Sequence, residues 1–186
     1  MPMKNVVALF LLCLLLCRSV PVLAMDWQDP WSDFKVNVSK TFCSNKYELY
    51  VPMRTWHNRW TYDDDKIKGY NERPWGGGLG QYYIDDKGNQ HSLYTMVFKD
   101  SHNDFEPIAG YAWQKNWRLD DDGDWRVGAG FTVFITARSD FDYMPFPGAL
   151  PLVALEYKQL AIQGTYVPGF SRNSGNVALF WAKWKF

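Results

Sequence analysis

Asp100, Ser101 and His102 stand side by side in the stretch MVFKDSHNDFEPIAGYAW (96–113), and another histidine, His57, closes YVPMRTWH (50–57). A serine hydroxyl is a weak nucleophile until a base is in reach. Histidine is the usual base, and an aspartate can orient or charge-stabilise it. These are the residue types of acyl transfer or ester hydrolysis. An Asp next to a Ser is not spaced like a hydrolase relay, so the types carry the reading more than their order. An ordinary polar loop would account for the same residues.

The elements that must position them follow from periodicity. Beyond about residue 48 apolar residues recur every second position, the pattern of strands with two distinct faces. DWRVGAGFTVFITARSD (124–140) is the clearest case, with Trp125, Val127, Ala129, Phe131, Val133, Ile135 and Ala137 on one face. Eight such runs are predicted: about 48–60, 74–84, 90–99, 106–118, 124–138, 145–157, 160–168 and 176–186. Short turns such as DDKGN (85–89) and DDDGD (120–124) alternate with mostly longer loops such as 61–73 and 138–148. The terminal strand NVALFWAKWKF ends on an aromatic residue. The predicted fold is all-β: an eight-stranded antiparallel outer-membrane β-barrel with an N-terminal amphipathic α-helix. The helix is predicted over about 29–43, where Trp27, Trp31, Phe34, Val38 and Phe42 share one face, and the barrel over about 48–186. In this topology His57, Asp100 and Ser101 all lie at the rim that carries the long loops.

Residues 1–24 read as a cleaved secretory signal peptide, with a short positive start, the apolar run VVALFLLCLLLC and small residues before the expected cut after Ala24. The domain is then 25–186, exported to the bacterial outer membrane. Removing Lys4 and Arg18 from 20 basic groups leaves 18 against 20 acidic ones, a formal charge of −2. That balance excludes a basic nucleic-acid-binding protein. Cys13 and Cys17 leave with the signal, so Cys43 has no internal partner. Aromatic residues make up 18% of the chain, an enrichment that suits a bilayer interface. GGGLG (76–80) lacks dinucleotide spacing, the acidic turn lacks EF-hand spacing, and the histidines lack zinc spacing, so neither metal nor cofactor is expected.

The lumen is predicted to change character along its axis. Ile108, Gly110, Ala112, Gln114 and Asn116 share one face, as do Val177, Leu179, Trp181, Lys183 and Lys185. The half nearer the long loops is therefore apolar inside as well as outside, which suits a hydrocarbon chain; a barrel of eight strands holds one small ligand. Pro52, Pro74, Pro151 and Pro168 fall within the predicted strands. Proline cannot donate to a ladder, so the first and second strands, and the sixth and seventh, are expected to part locally. Such gaps are either lateral doorways for lipid or ordinary strand ends.

The segments YVPMRTWHNRW, YNERPWGGG, LYTMVFKDS, EPIAGYAW, TAR, YVPG and the terminal KF together make the chain resemble the PagP family of lipid A acyltransferases. The resemblance covers nearly all of 25–186. It implies transfer of a palmitoyl chain from the sn-1 position of a phospholipid donor to a lipid A acceptor, by a monomer or weak homodimer. It implies His57, Asp100 and Ser101 as catalytic residues and the four prolines as lateral lipid entrances. Arg138 matches a strand-five arginine, Lys66 a loop lysine implicated in lipopolysaccharide recognition, and Phe170 a gating aromatic, although that loop is one residue longer here. At the floor of the acyl-chain site the family commonly carries Gly where this chain has Ala112. Ala112 lies ~20 Å along the strand from Glu106, or about 15 Å of depth after tilt. Its extra methyl predicts a chain shorter than palmitate. The alternative function is a catalytically inert lipid-binding outer-membrane barrel.

Overall fold

The computed structural model describes residues 30–169 and 171–186; the expected signal peptide and Phe170 lie outside the described residues. The chain divides into two compact units, Met1–Asp33 and Phe34–Phe186. Of the first, only the opening residues of a helix are described. Helix α1 (Pro30–Phe42) carries Asp33 in its first turn and Lys40 in its last, charges that complement the helix dipole. Proline in the first turn forfeits no helical hydrogen bond. From Phe34 onward the helix covers a patch of the barrel's outer wall. Phe34 meets Tyr111 edge-on at 5.0 Å, and Tyr111 and His91, joined by a 2.6 Å hydrogen bond, are both buried.

The strands are β1 (Tyr47–His57), β2 (Gly76–Ile84), β3 (Gln90–Lys99), β4 (Phe105–Arg118), β5 (Trp125–Thr136), β6 (Phe146–Tyr157), β7 (Leu160–Val167) and β8 (Val177–Lys185). They close into one antiparallel barrel in chain order, with β1 paired to β8. Leu49, Val51, Phe131, Val153 and Ile162 are among the large apolar side chains left exposed on its outer face, the surface a bilayer-spanning barrel presents to lipid. Among the described residues no helix is long and apolar enough to cross a membrane.

Two ladders are incomplete. β1 and β2 pair only from Tyr47↔Gln81 to Tyr50↔Gly78. β6 and β7 pair only from Tyr157↔Leu160 to Leu152↔Thr165. Pro52 and Pro151 lie just beyond these last pairs, each still paired on its other side, to Trp181 and Phe131. Pro74 and Pro168 differ from expectation. Pro74 precedes β2 and Pro168 follows β7, because each run's apolar pattern outlasts its backbone pairing.

β1 also carries a bulge. Its register against β8 runs from Glu48↔Lys185 to Pro52↔Trp181, then resumes at Arg54↔Phe180 and ends at His57↔Val177, skipping Met53. Glu48 and Tyr50 are buried below the skip, whereas Thr55 and His57 are buried above it, and Met53 and Arg54 are both exposed. One strand thus changes which parity faces inward.

The lower lumen is a closed polar plug. Lys183 pairs with Glu48 at 3.1 Å and Lys185 with Glu156 at 2.8 Å. Glu48 also accepts from Gln90 and from the Tyr50 hydroxyl, and Glu156 from Gln114, which is linked through Gln163 to the Trp181 indole. Buried charges persist only when paired and hydrogen-bonded in this way.

Candidate active site at the loop-end rim

His57 is the last residue of β1, and the bulge turns its ring inward. Bulges recur beside active sites because they re-aim a side chain. Had strict alternation continued from Leu49 and Val51, His57 would face outward. Instead it is 2% exposed. Tyr70 stacks on the imidazole at 4.7 Å and Tyr62 meets it edge-on at 5.1 Å.

Ser101 enters from the loop after β3. Its Oγ lies 3.1 Å from His57 Nε2, within the range expected of a nucleophile and its base. The structure thus brings together two of the three residues singled out by type. Asp100 is beside them but serves another contact. Its Oδ1 accepts the backbone N–H groups of His102 and Asp104, both at 2.9 Å, and its Oδ2 lies 3.5 Å from Arg138. Among the described contacts it makes no hydrogen bond to His57, so it orders the loop that presents Ser101. His102 lies 3.8 Å from Asp100 and 3.7 Å from Asp140. These three could converge on a cation, but the Arg138 guanidinium already stands 3.0 Å from Asp140 and 3.5 Å from Asp100.

Residue type and spacing gave no sign of Glu72, although it lies inside YNERPWGGG. Its Oε1 is 3.2 Å from His57 Nδ1 and also accepts the His57 backbone N–H at 3.2 Å. Arg59 reaches both of its oxygens, at 2.7 and 2.6 Å, and Arg54 adds a contact at 3.0 Å. The Arg59 guanidinium, ahead of the other contacts, holds the Glu72 carboxyl down at about 2, against an ordinary 4.5.

Below the His57–Ser101 pair a cavity of about 490 Å³ descends into the barrel, lined by apolar side chains including Met96, Ile108, Phe134, Leu150 and Leu179. Pro52, Pro74 and Thr165, at the interrupted ladders, also line it. A void of about 20 Å³ lies further down, and Ala112 lines that void. Tyr94 and Thr132 border both spaces, and their hydroxyls are joined by a 2.7 Å hydrogen bond. The bond passes over Gly110, where an added Cβ would stand 2.8 Å from the Tyr94 hydroxyl. Ala112 faces the lumen as expected, but beneath this crossbar. Lys66 is exposed on helix α2 (Asp64–Gly69) in the loop after β1. That loop is tied to the β7–β8 loop through Asp63, which binds Arg172 and Asn173.

The family model described as "Antimicrobial peptide resistance and lipid A acylation protein PagP" matches residues 37–183. The chain belongs to the PagP family. It is 57% identical over 159 residues to the lipid A acyltransferase PagP of Laribacter hongkongensis, covering 86% of this chain and 74% of that relative. It is 49% identical to the Yersinia enterocolitica protein of the same name, covering 88% and 80%. Against the Erwinia amylovora protein, again so named, identity is 44% across the full length of both chains. The PagP match spans β1 to β7 and most of β8, the bulge at Met53 and the loops that carry Glu72 and Ser101.

Proposed function

We propose that this chain moves an acyl chain from the sn-1 position of a phospholipid to a hydroxyl of lipid A, in the bacterial outer membrane. The observation that carries the reading is one arrangement: a His57–Ser101 pair at the mouth of an apolar cavity whose wall is interrupted beside Pro52 and Pro151. The cavity's size is ordinary for a single small ligand, and its lining suits a hydrocarbon chain. A chain admitted through an interrupted ladder never has to cross water. Pro74 and Pro168 keep the neighbouring segments out of the ladder at the same two places. Phe170 would gate the β7–β8 side.

In the reaction an oxygen attacks the ester carbonyl, the acyl C–O bond to glycerol breaks, and His57 Nε2 accepts the attacking oxygen's proton. Returning that proton to the leaving glycerol oxygen gives a lysophospholipid and an acylated lipid A. Ser101 Oγ is either a hydrogen-bond donor to the carbonyl oxygen, while a lipid A hydroxyl attacks directly, or the first attacker. In the second case the acyl group rests on Ser101 until a lipid A hydroxyl, giving its proton to His57 Nε2, attacks the acyl-serine ester and the serine oxygen leaves with that proton. Asp100, through the backbone of its loop and through Arg138, fixes where Ser101 stands. Lys66 offers a cation to the phosphates of lipid A. Ala112 and the Tyr94–Thr132 crossbar limit chain depth and favour a chain shorter than palmitate. No metal or soluble cofactor is required. A closed barrel has no free strand edge, consistent with a monomer or weak homodimer.

The test is incubation of the purified protein with acyl-labelled phospholipid and lipid A in mixed micelles. Label is expected on lipid A with the parent protein and not with His57→Ala. Equal transfer by His57→Ala would overturn the assignment, and no transfer by the parent would leave a lipid-binding barrel.

A further inference from the structure

We propose that Glu72 is a positioning residue of this site: its carboxylate holds His57 in the Nδ1-protonated form and so aims the bare Nε2 at Ser101. The inference rests on the acyl-transfer reading above and adds a carboxylate partner for His57, a part that residue type alone had offered to Asp100. The two ring nitrogens face different partners, Glu72 Oε1 at 3.2 Å from Nδ1 and Ser101 Oγ at 3.1 Å from Nε2. An ionised carboxylate can only accept hydrogen bonds. The proton between Glu72 and the ring therefore sits on Nδ1. In a neutral imidazole that leaves Nε2 as the acceptor, and the Ser101 hydroxyl donates to it.

The fold places this carboxylate by its backbone. Thr55 N donates to the Glu72 carbonyl at 3.1 Å, and Asn71 N donates to the Ser101 carbonyl at 2.8 Å. Two consecutive residues thus tie the end of β1 to the loop that carries Ser101. They do so above the interrupted β1–β2 ladder, where β2 supplies no partner to β1. Arg59 and Arg54 then fix the side chain from the solvent side. Arg59 also donates to the His57 carbonyl at 3.1 Å.

Two measurements test this. In the folded parent protein, 15N spectroscopy of histidine-labelled barrel, with the His57 signals assigned by their loss in His57→Ala, reads the tautomer directly. Protonated Nδ1 is expected, and protonated Nε2 would overturn the proposal; no activity is needed for this reading. The second is kinetic, on Glu72→Gln with parent-like heat-modifiable mobility. Its kcat is expected to fall by at least about 100-fold, with KM for phospholipid within twofold; a triad carboxylate replaced by its amide costs about 10⁴-fold. The groups around the ring are Glu72, Arg59, Tyr62 and Tyr70, with His102 beyond Tyr70. Removing the carboxylate withdraws the anionic neighbour of an imidazolium, so the acidic limb of kcat/KM should move down by about 1 pH unit. A merely structural Glu72 would leave that limb in place. Parent-like kcat, or an unmoved limb, would overturn the role. Parent-like activity in His57→Ala would instead sink the acyl-transfer assignment while leaving the tautomer result standing.

Discussion

His57 Nε2 lies 3.1 Å from Ser101 Oγ although β1 never pairs with β3: the ring reaches past the whole of β2 to meet it. β2 permits this because it starts only at Gly76, below the rim. If these atoms act as one unit, their losses will not add. His57→Ala is expected to lower kcat by about 10² to 10⁴-fold, the usual worth of a general base. Adding Ser101→Ala should lower it little further. Multiplied losses in the double variant, measured by single-turnover acyl transfer, would show independent roles.

Chain length should answer to the crossbar. Ala112→Gly enlarges a void that lies beneath the Tyr94–Thr132 bond. Alone it should lengthen the preferred chain only slightly; combined with Tyr94→Phe, which removes one end of the bond, it should admit at least one further methylene. A methylene in a hydrophobic pocket is worth ~1–3 kcal/mol of discrimination. Mass spectrometry of lipid A acylated from a mixed-chain donor pool measures the shift. An identical chain profile in Ala112→Gly and the double variant would remove the crossbar from the account.

The lumen plug predicts an asymmetric response to mutation. Lys183→Met leaves Glu48 buried without its 3.1 Å partner, a change that typically costs about 3–5 kcal/mol. Replacing both, as Glu48→Gln with Lys183→Met, removes the stranded charge and should recover most of that loss. Urea unfolding in detergent micelles reads both. Equal destabilisation by the single and double variants would argue against the pair as the cause.

Acid should uncouple Glu72 from its arginines. Its folded carboxyl is held near 2, first by Arg59, against an ordinary 4.5. A depressed carboxylate contributes stability above its unfolded value and loses it as pH falls through the folded one. The stability difference between the parent and Glu72→Gln should therefore be full above about pH 5 and shrink between about 4.5 and 2. Thermal melts of both proteins across that range test it, and a constant difference would rule out this linkage. Arg59 is 39% exposed, so salt will reduce the effect.

The strands were legible in the sequence because one face meets lipid and the other the lumen, leaving a period of two over most of their length. Proline spacing located both interrupted ladders, though not that Pro74 and Pro168 stand outside the strands. The meeting of His57 with Ser101 at one rim followed from topology. The bulge left no such trace. Met53 and Arg54 are both compatible with an exposed position, so nothing in the alternation announces that one residue is skipped. Glu72 was hidden for another reason: its place is set by backbone hydrogen bonds from Thr55 and Asn71, which do not depend on side-chain identity. The depth of Ala112 could be counted along β4, but the crossbar above it joins β3 to β5.

The skipped residue at Met53 also has a consequence for inheritance. It acts as a frame boundary: below it the even positions of β1 belong to the polar plug, and above it the odd positions belong to the chemistry. Losing Trp56, between the skip and His57, would move His57 to an outward position and turn it toward lipid, and the lower barrel would keep its pairing unchanged. An intact barrel of this sequence type with that single deletion would therefore be a membrane protein without a reaction, separated from the enzyme by one codon.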